Sequence, residues 1–287
     1  MSIITIAEAS KAAVMRAAQQ ALADYSDAVG PVFVRRPRSK PRHCGSCVFV
    51  QFRGRIYMIT AKHVIDEQKY GSLYIGGPSK VVQLHAEVAY SGANLPIGEI
   101  DRQDVAIAAL SDDLVHLLGL RNLIDLESAL VAKPPLLGDR FMILGYPHSK
   151  IRHALRDPMR LPQVDWAFIT RAKEAQVCAA KPYVNGGTHL VLDWDGTQTL
   201  DADLQRTTSP NPRGMSGGAV FDLGNFTEHS VLAGVTAPKA RLVAIPTESH
   251  ESEEAIVCLR LIAPVAALDA RNLWPRALKL PPRREGV

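Results

Sequence analysis

The sequence predicts an all-β chain of barrel or sandwich type with a helix added at each end. Three observations predict it. From residue 47 onward, short runs rich in β-branched and aromatic residues recur between Gly, Pro, Asn or Asp. Helical periodicity is confined to the N-terminus, to 112–130 and to 264–274. The chain has 287 residues, 47% apolar and 22% charged, an ordinary globular composition that can bury a core without disulfides or metals.

Composition also excludes classes. No stretch approaches the roughly 18 apolar residues of a membrane helix, so no membrane is expected as a partner. The net charge of +4 is mild, and nucleic-acid binders concentrate charge on one face, so nucleic acid is not expected either. Four Cys in a chain this long do not make a disulfide scaffold. The N-terminus carries Glu8 and Asp24 and lacks a basic stretch ahead of an apolar one. It does not read as a secretory signal, and the expectation is a cytoplasmic protein with free thiols.

Taken in order, residues 5–28 place Ile6, Ala9, Ala13, Val14, Ala17 and Ala21 at near-helical spacing. Segment 1–30 therefore reads as an amphipathic helix that ends before Gly30-Pro31. Its polar face holds too little Lys/Arg for a lipid surface, so it should pack on the main body or on a partner. Segment 31–43 reads as a basic linker, because RRPRSKPRH (35–43) holds five Lys/Arg and two Pro. The alternative is a basic arm for nucleic acid or an acidic partner. No aromatic residue interleaves with it, which argues against single-strand binding. Segment 44–135 is the first β lobe with the inter-lobe linker, where runs 47–52 and 56–61 flank Arg53-Gly54-Arg55 as a hairpin. Further β runs are 72–75, 81–89 and 105–110. Segment 136–275 is the second lobe with a C-terminal helix, with β runs at 140–144, 166–172, 190–194, 219–222, 231–236 and 255–261. Residues 276–287 form a tail.

Three segments carry chemistry. Ile59-Thr-Ala-Lys-His63-Val-Ile places a His just after a buried strand. Asp101-Arg-Gln-Asp104-Val-Ala-Ile places an Asp at the entrance of an apolar strand. Pro212-Arg-Gly214-Met-Ser216-Gly-Gly218 places a Ser in a Gly-rich turn before another strand. A Ser nucleophile needs a base, for which His has a suitable pKa. That His needs a carboxylate on its other nitrogen. The developing oxyanion needs preorganised N–H donors, which a Gly-rich turn can aim into one hollow. Asp101 is the alternative to Asp104 for the carboxylate.

The order His, Asp, Ser is that of the chymotrypsin clan. TAKHV, DVAIAAL and GMSGGAVF resemble the TAxHV, D-[IV]-A-[IVL] and GxSGG boxes of its bacterial trypsin-like form. ILGYP (143–147) and VLAGVTA (231–237) are similar to that clan's second-barrel turn and pocket-lining strand. The resemblance covers about residues 44–268. It implies two Greek-key β-barrels with the site in the cleft between them. It further implies a serine endopeptidase acting through His63 as base and acid, Asp104 as its orienting carboxylate and Ser216 as nucleophile. The N–H groups of Gly214 and Ser216 would form the oxyanion hole, and no metal or cofactor is implied. Met215 stands where the digestive branch has an Asp that pairs with a cut N-terminus, so activation by N-terminal insertion is not expected. The chain looks more like the HtrA-like protease core, without a PDZ module.

The substrate pocket is expected from Pro210 and Asn211 together with Val235, Thr236 and Ala237. It has no acid at its floor, so small or aliphatic side chains are expected before the scissile bond. Cys44-Gly-Ser-Cys47 beside His43 invites a zinc reading, but no second CxxC or HxxxH completes four ligands, and Cys178 and Cys258 stand alone. The loop 148–163, with Arg152, Arg156 and Arg160, is placed to gate the cleft. Residues 248–254 read as an exposed acidic hairpin tip. Asp201 and Asp203 belong to a solvated loop or to the cleft rim. The partners expected are a protein or peptide substrate and an activating protein that controls a gated site. The alternative is a catalytically silent interaction module on the same fold.

Overall fold

A computed structural model describes residues 5–92, 103–130, 135, 136, 138–154, 166–178, 183–194, 199, 200, 206, 207, 211–227 and 239–278. Helix α1 (Ile6–Tyr25) starts with a reciprocal cap. The Thr5 hydroxyl accepts the Glu8 N–H at 3.2 Å, and the Glu8 carboxylate accepts the Thr5 N–H at 2.8 Å. Ala18 and Ala21 are fully buried, and their small side chains bring the helix close to the second lobe. The Tyr25 ring stacks on Phe221 with centroids 5.0 Å apart, and its hydroxyl donates to the Ala240 carbonyl at 3.2 Å. The helix is thus part of the body of the protein.

The first lobe contains β1 (Val29–Arg35), β2 (Arg42–Phe52), β3 (Arg55–Ala61), α2 (Lys62–Asp66), β4 (Ser72–Gly76), β5 (Val81–Gln83), β6 (Val88–Tyr90) and β7 (Val105–Ala109). Their order is β5-β4-β1-β2-β3-β7-β6. Strand β4 returns beside β1, the Greek-key order. Helix α3 (Asp112–Leu118), the short strand β8 (Ile124–Asp125) and α4 (Leu126–Ala129) lead out of the lobe, with β8 parallel to β2. The second lobe contains β9 (Asp139–Gly145), α5 (His148–Ala154), β10 (Trp166–Thr170), β11 (Ala172–Lys173), β12 (His189–Asp193), β13 (Thr199–Leu200), β14 (Arg206–Thr207), β15 (Ala219–Asn225), β16 (Arg241–His250) and β17 (Ala255–Arg260). Its main sheet runs β10-β9-β15-β16-β17-β12-β11, and β13 pairs with β14. All pairs but β2–β8 are antiparallel. Helix α6 (Ile262–Arg271) closes the chain's fold. The all-β, two-lobed class predicted from the sequence holds, with a helix at each end. Among the described residues each lobe is traced as an open strand order rather than a closed ring.

Several elements differ from the sequence reading. Residues 31–35, expected in a linker, lie in β1, a central strand between β4 and β2. Pro31 disguised it, because a proline argues against a central strand. Pairing to β4 begins only at Val32, so its missing N–H removes no bond on that side. The basic connector is therefore residues 36–41. The periodic stretch 112–130 is two helices, because Gly119 sits in the left-handed region (φ 72) and stops α3. Run 81–89 divides into β5 and β6. The run at 231–236 lies outside the described residues. Strand β16, which the sequence did not mark, extends through His250, so the hairpin tip shrinks to residues 251–254.

The lobes are tied by core contacts and by the C-terminal segment. Trp274 stacks on Phe52 at 4.6 Å and lies 4.9 Å from Tyr57, both in the first lobe. Arg53 grips Asp269 of α6 with two bonds of 2.6 and 3.0 Å. None of the described helices is long and apolar enough to cross a membrane.

Candidate active site

His63 lies on α2, directly after β3, and Asp104 directly precedes β7. These strands are paired with Ala61 opposite Val105, so the two residues emerge side by side at the sheet's end. Asp104 has φ 45, a left-handed value that Asp tolerates better than most residues. Its carbonyl accepts the Lys62 N–H at 3.1 Å. Its carboxylate then makes two bonds to one residue. Oδ1 accepts the His63 backbone N–H at 2.9 Å, and Oδ2 lies 2.7 Å from His63 Nδ1. A carboxylate only accepts, so Nδ1 carries the hydrogen and Nε2 of the neutral ring is the basic nitrogen. Asp101, the alternative carboxylate, lies outside the described residues.

Burial by itself would lower the pKa of His63. The hydrogen bond and charge of Asp104, with the charges of Asp66 and Glu248, outweigh it and hold the pKa above its usual 6.5. Glu248 comes from β16 of the other lobe. The sequence reading had put it in an exposed tip. Its carboxylate accepts the Tyr183 hydroxyl at 2.9 and 3.0 Å and lies 3.2 Å from His250 Nε2. Burial and then this bond to Glu248 push the Tyr183 phenol up to about 12.

Ser216 sits in the turn before β15. Its hydroxyl donates to the Thr247 carbonyl at 3.5 Å, a long bond. The turn is pinned internally by Met215 N–H to Pro212 O at 2.9 Å and Gly218 N–H to Met215 O at 2.9 Å, and across to β16 by Gly217 N–H to Pro246 O at 2.8 Å. Among the described residues, the N–H groups of Gly214 and Ser216 donate to no protein acceptor. Gly214 has φ 95, and a Cβ there would lie 2.7 Å from His43 Cε1 and 2.9 Å from the His148 nitrogen. Met215 is fully buried in the second lobe's apolar core with Ile143, Val220 and Ile256, so no charged group occupies that position.

His63 and Ser216 line one cavity of about 610 Å³ between the lobes, together with Asn211, Thr247 and Glu248. Of the expected pocket residues, only Asn211 is among the described residues. Pro210, Val235, Thr236 and Ala237 lie outside them, as do Asp201, Asp203, Arg156 and Arg160. The wall that faces Ser216 is residues 246–249 of β16, which sequence reasoning missed because Pro246 and the acids that follow argue against a strand. It also missed the role of Ser46 on β2. This buried side chain donates to the Gly214 carbonyl at 2.8 Å and accepts the Tyr146 N–H at 2.9 Å. Its backbone N–H donates to the Ser216 carbonyl at 2.9 Å.

No group of three or more His, Cys, Asp or Glu that could hold a metal occurs among the described residues. The Cys44 thiol donates to the Val32 carbonyl at 3.3 Å, and burial pushes its pKa up to about 12. Cys47 and Cys258 are buried, and burial pushes both up as well. His43 is buried against Phe33 and stacks on His148 with centroids 5.8 Å apart. Burial, then the charge of His148, lowers its pKa to about 3, against the nearby Gly45 carbonyl, which raises it.

No protein-family model and no curated protein matches the sequence. Among solved structures the chain is similar to one described as "HtrA-type protease AlgW with tripeptide", with 12% identity and a TM-score of 0.48. The alignment covers 88% of this chain and 62% of that one, so the chain spans about three fifths of the length of the protein it matches.

Proposed function

We propose that the chain is a serine endopeptidase. The observation that carries this reading is the pair of hydrogen bonds that His63 makes to the Asp104 carboxylate, which leaves Nε2 as the basic nitrogen in a cavity shared with Ser216. Ser216 Oγ attacks the peptide carbonyl as His63 Nε2 takes its proton. The oxyanion accepts from the N–H groups of Gly214 and Ser216. Breakdown of the tetrahedral adduct cleaves the C–N bond, and His63 returns the proton to the leaving amine. Water then takes the place of Ser216 as nucleophile, and a second passage releases the acid and restores the hydroxyl. The attack requires the Ser216 hydroxyl to leave Thr247 and turn to His63, a side-chain rotation of nanosecond scale or faster.

One observation favours the second reading, a silent module on the same fold. The Ser216 hydroxyl is directed to Thr247 rather than to His63. Apo sites are often loose in this way, so this orientation is compatible with catalysis. The experiment is intact-mass labelling with a fluorophosphonate on wild type, Ser216→Ala and His63→Ala. A single adduct on wild type alone supports the peptidase. A well-folded wild type without an adduct supports the silent module.

A further inference from the structure

The basic run that catalysis leaves unused forms one wall of a second cavity. Strand β1 delivers Arg35 to its end, and the following turn carries Arg36 and Arg38, the latter with φ 58. All three side chains belong to exposed residues. The cavity is about 620 Å³, and Gln68, Gln83 and His85 also line it. None of its lining residues is Asp or Glu. Among the described residues, no carboxylate pairs with Arg35, Arg36 or Arg38. The ion pair in this region, Arg42 with Glu67 at 2.5 Å, belongs to the neighbouring cavity. Three guanidinium groups around one hollow focus a positive field, and their planar forks fit carboxylates.

We propose that this cavity is an exosite for an acidic, Asp/Glu-rich stretch of polypeptide. It engages that stretch while another part of the same chain occupies the cleft of His63 and Ser216. The second half of this statement rests on the peptidase reading, and the docking itself does not. The two cavities are lined by residues adjacent in the chain. Glu67 lines the catalytic one and Gln68 the basic one, and Arg42 and Arg38 divide in the same way. Three residues, a span of about 14 Å at most, separate Arg38 from Arg42. Gln83 ends the edge strand β5, where an extended peptide can add backbone bonds. The surroundings disfavour a nucleic acid. The exposed ring beside the cavity, Tyr70, already carries Arg36 at 5.0 Å and Lys69 at 4.9 Å. A base would have to displace a cation in order to stack on it.

The test uses the full chain as Ser216→Ala, so that a bound peptide is not cleaved. Fluorescence anisotropy follows a labelled Glu-rich peptide of about ten residues, a Lys-rich control and a single-stranded oligonucleotide of equal charge. The expected result is binding of the Glu-rich peptide that weakens from about 50 to about 200 mM salt. Combining Arg35→Ser, Arg36→Ser and Arg38→Ser should weaken it about tenfold or more, and Arg38→Glu alone in the same direction. Unchanged affinity in both variants, no binding of the Glu-rich peptide, or tighter binding of the oligonucleotide overturns the proposal. Fluorophosphonate labelling of the arginine variants with Ser216 restored separates the two readings. Docking without labelling in wild type removes the peptidase and keeps the exosite. Labelling without docking does the reverse.

Discussion

Ser46 and Ser216 are joined across the two lobes, the N–H of the first donating to the carbonyl of the second at 2.9 Å. The Ser46 hydroxyl holds the Gly214 carbonyl as well. One buried residue of the first lobe therefore fixes both ends of the Gly214–Ser216 turn. The close fit continues at Gly217 (φ 83), where a Cβ would run into Thr60 Oγ1, the Ser46 carbonyl and the Ala61 nitrogen.

Ser46→Ala should therefore act on both stability and chemistry. It removes the bonds that Ser46 Oγ makes to the Gly214 carbonyl and the Tyr146 N–H, a cost of about 1–3 kcal/mol. Urea unfolding should show that loss. The fluorophosphonate labelling rate of the folded variant should fall about tenfold or more, because removing a single oxyanion donor already costs ~10²–10³. An unchanged rate in a destabilised variant would separate Ser46 from the turn's geometry.

Asp104→Asn tests the carboxylate. Asn tolerates the φ of 45 as well as Asp does, so the thermal midpoint should stay within a few degrees of wild type. The amide can donate to Nδ1, which moves the ring hydrogen to Nε2 and removes the base. Peptidase turnover should then fall by about 10⁴. Turnover within tenfold of wild type would show that Asp104 only shapes the backbone around His63.

The pH profile follows from the charges around His63. Its pKa is raised, so acid should protonate the base and turnover should rise with pH through a midpoint above 6.5. Glu248 supports the protonated form, so Glu248→Gln should move that midpoint down. Lys62→Met, by contrast, removes a cation paired with Asp66 at 2.8 Å. The freed Asp66 charge should then move the midpoint up. Opposite shifts in the two variants would confirm which charges His63 senses, and coincident profiles would exclude Glu248.

The candidate triad was legible because each member sits at the junction of an apolar run and a polar residue. His63 follows β3, Asp104 precedes β7 and Ser216 precedes β15, and buried strands announce themselves by composition. Partners supplied across the fold were not legible. Ser46 looks like any serine in a small-residue stretch, and only the docking of the second lobe gives it three bonds. Glu248 lies in ESHESEE, a composition that reads as solvent. It faces the cleft because β16 continues beyond Pro246, with a register shift between Pro246 and Glu248 against β17. Strand β1 was hidden by Pro31 and by the arginines that follow it. Yet its apolar core, Val32, Phe33 and Val34, is buried as deeply as any strand of the lobe.

His43 should penalise folding in acid. Its pKa is about 3 in the folded chain and near the ordinary 6.5 when unfolded, so the unfolded state binds the extra proton. Stability is then unaffected by His43 above about pH 6.5 and falls by about 1.4 kcal/mol per pH unit below it, until the folded value is reached. His63 acts in the opposite sense. Its raised pKa contributes stability below 6.5 that is lost as pH rises through the folded value. The groups facing His43 are His148 and Arg42. The charges of both lower its pKa and reinforce the penalty. His43→Leu removes the titrating ring and keeps an apolar side chain against Phe33 and Gly214. Between pH 6.5 and 5, wild type should lose about 2 kcal/mol more stability than His43→Leu in urea titrations. Parallel pH dependences in the two proteins would mean that His43 takes up its proton without unfolding the site. In that case the stacked His43–His148 pair would have to open beneath Gly214, and labelling of Ser216 would decline over the same pH range.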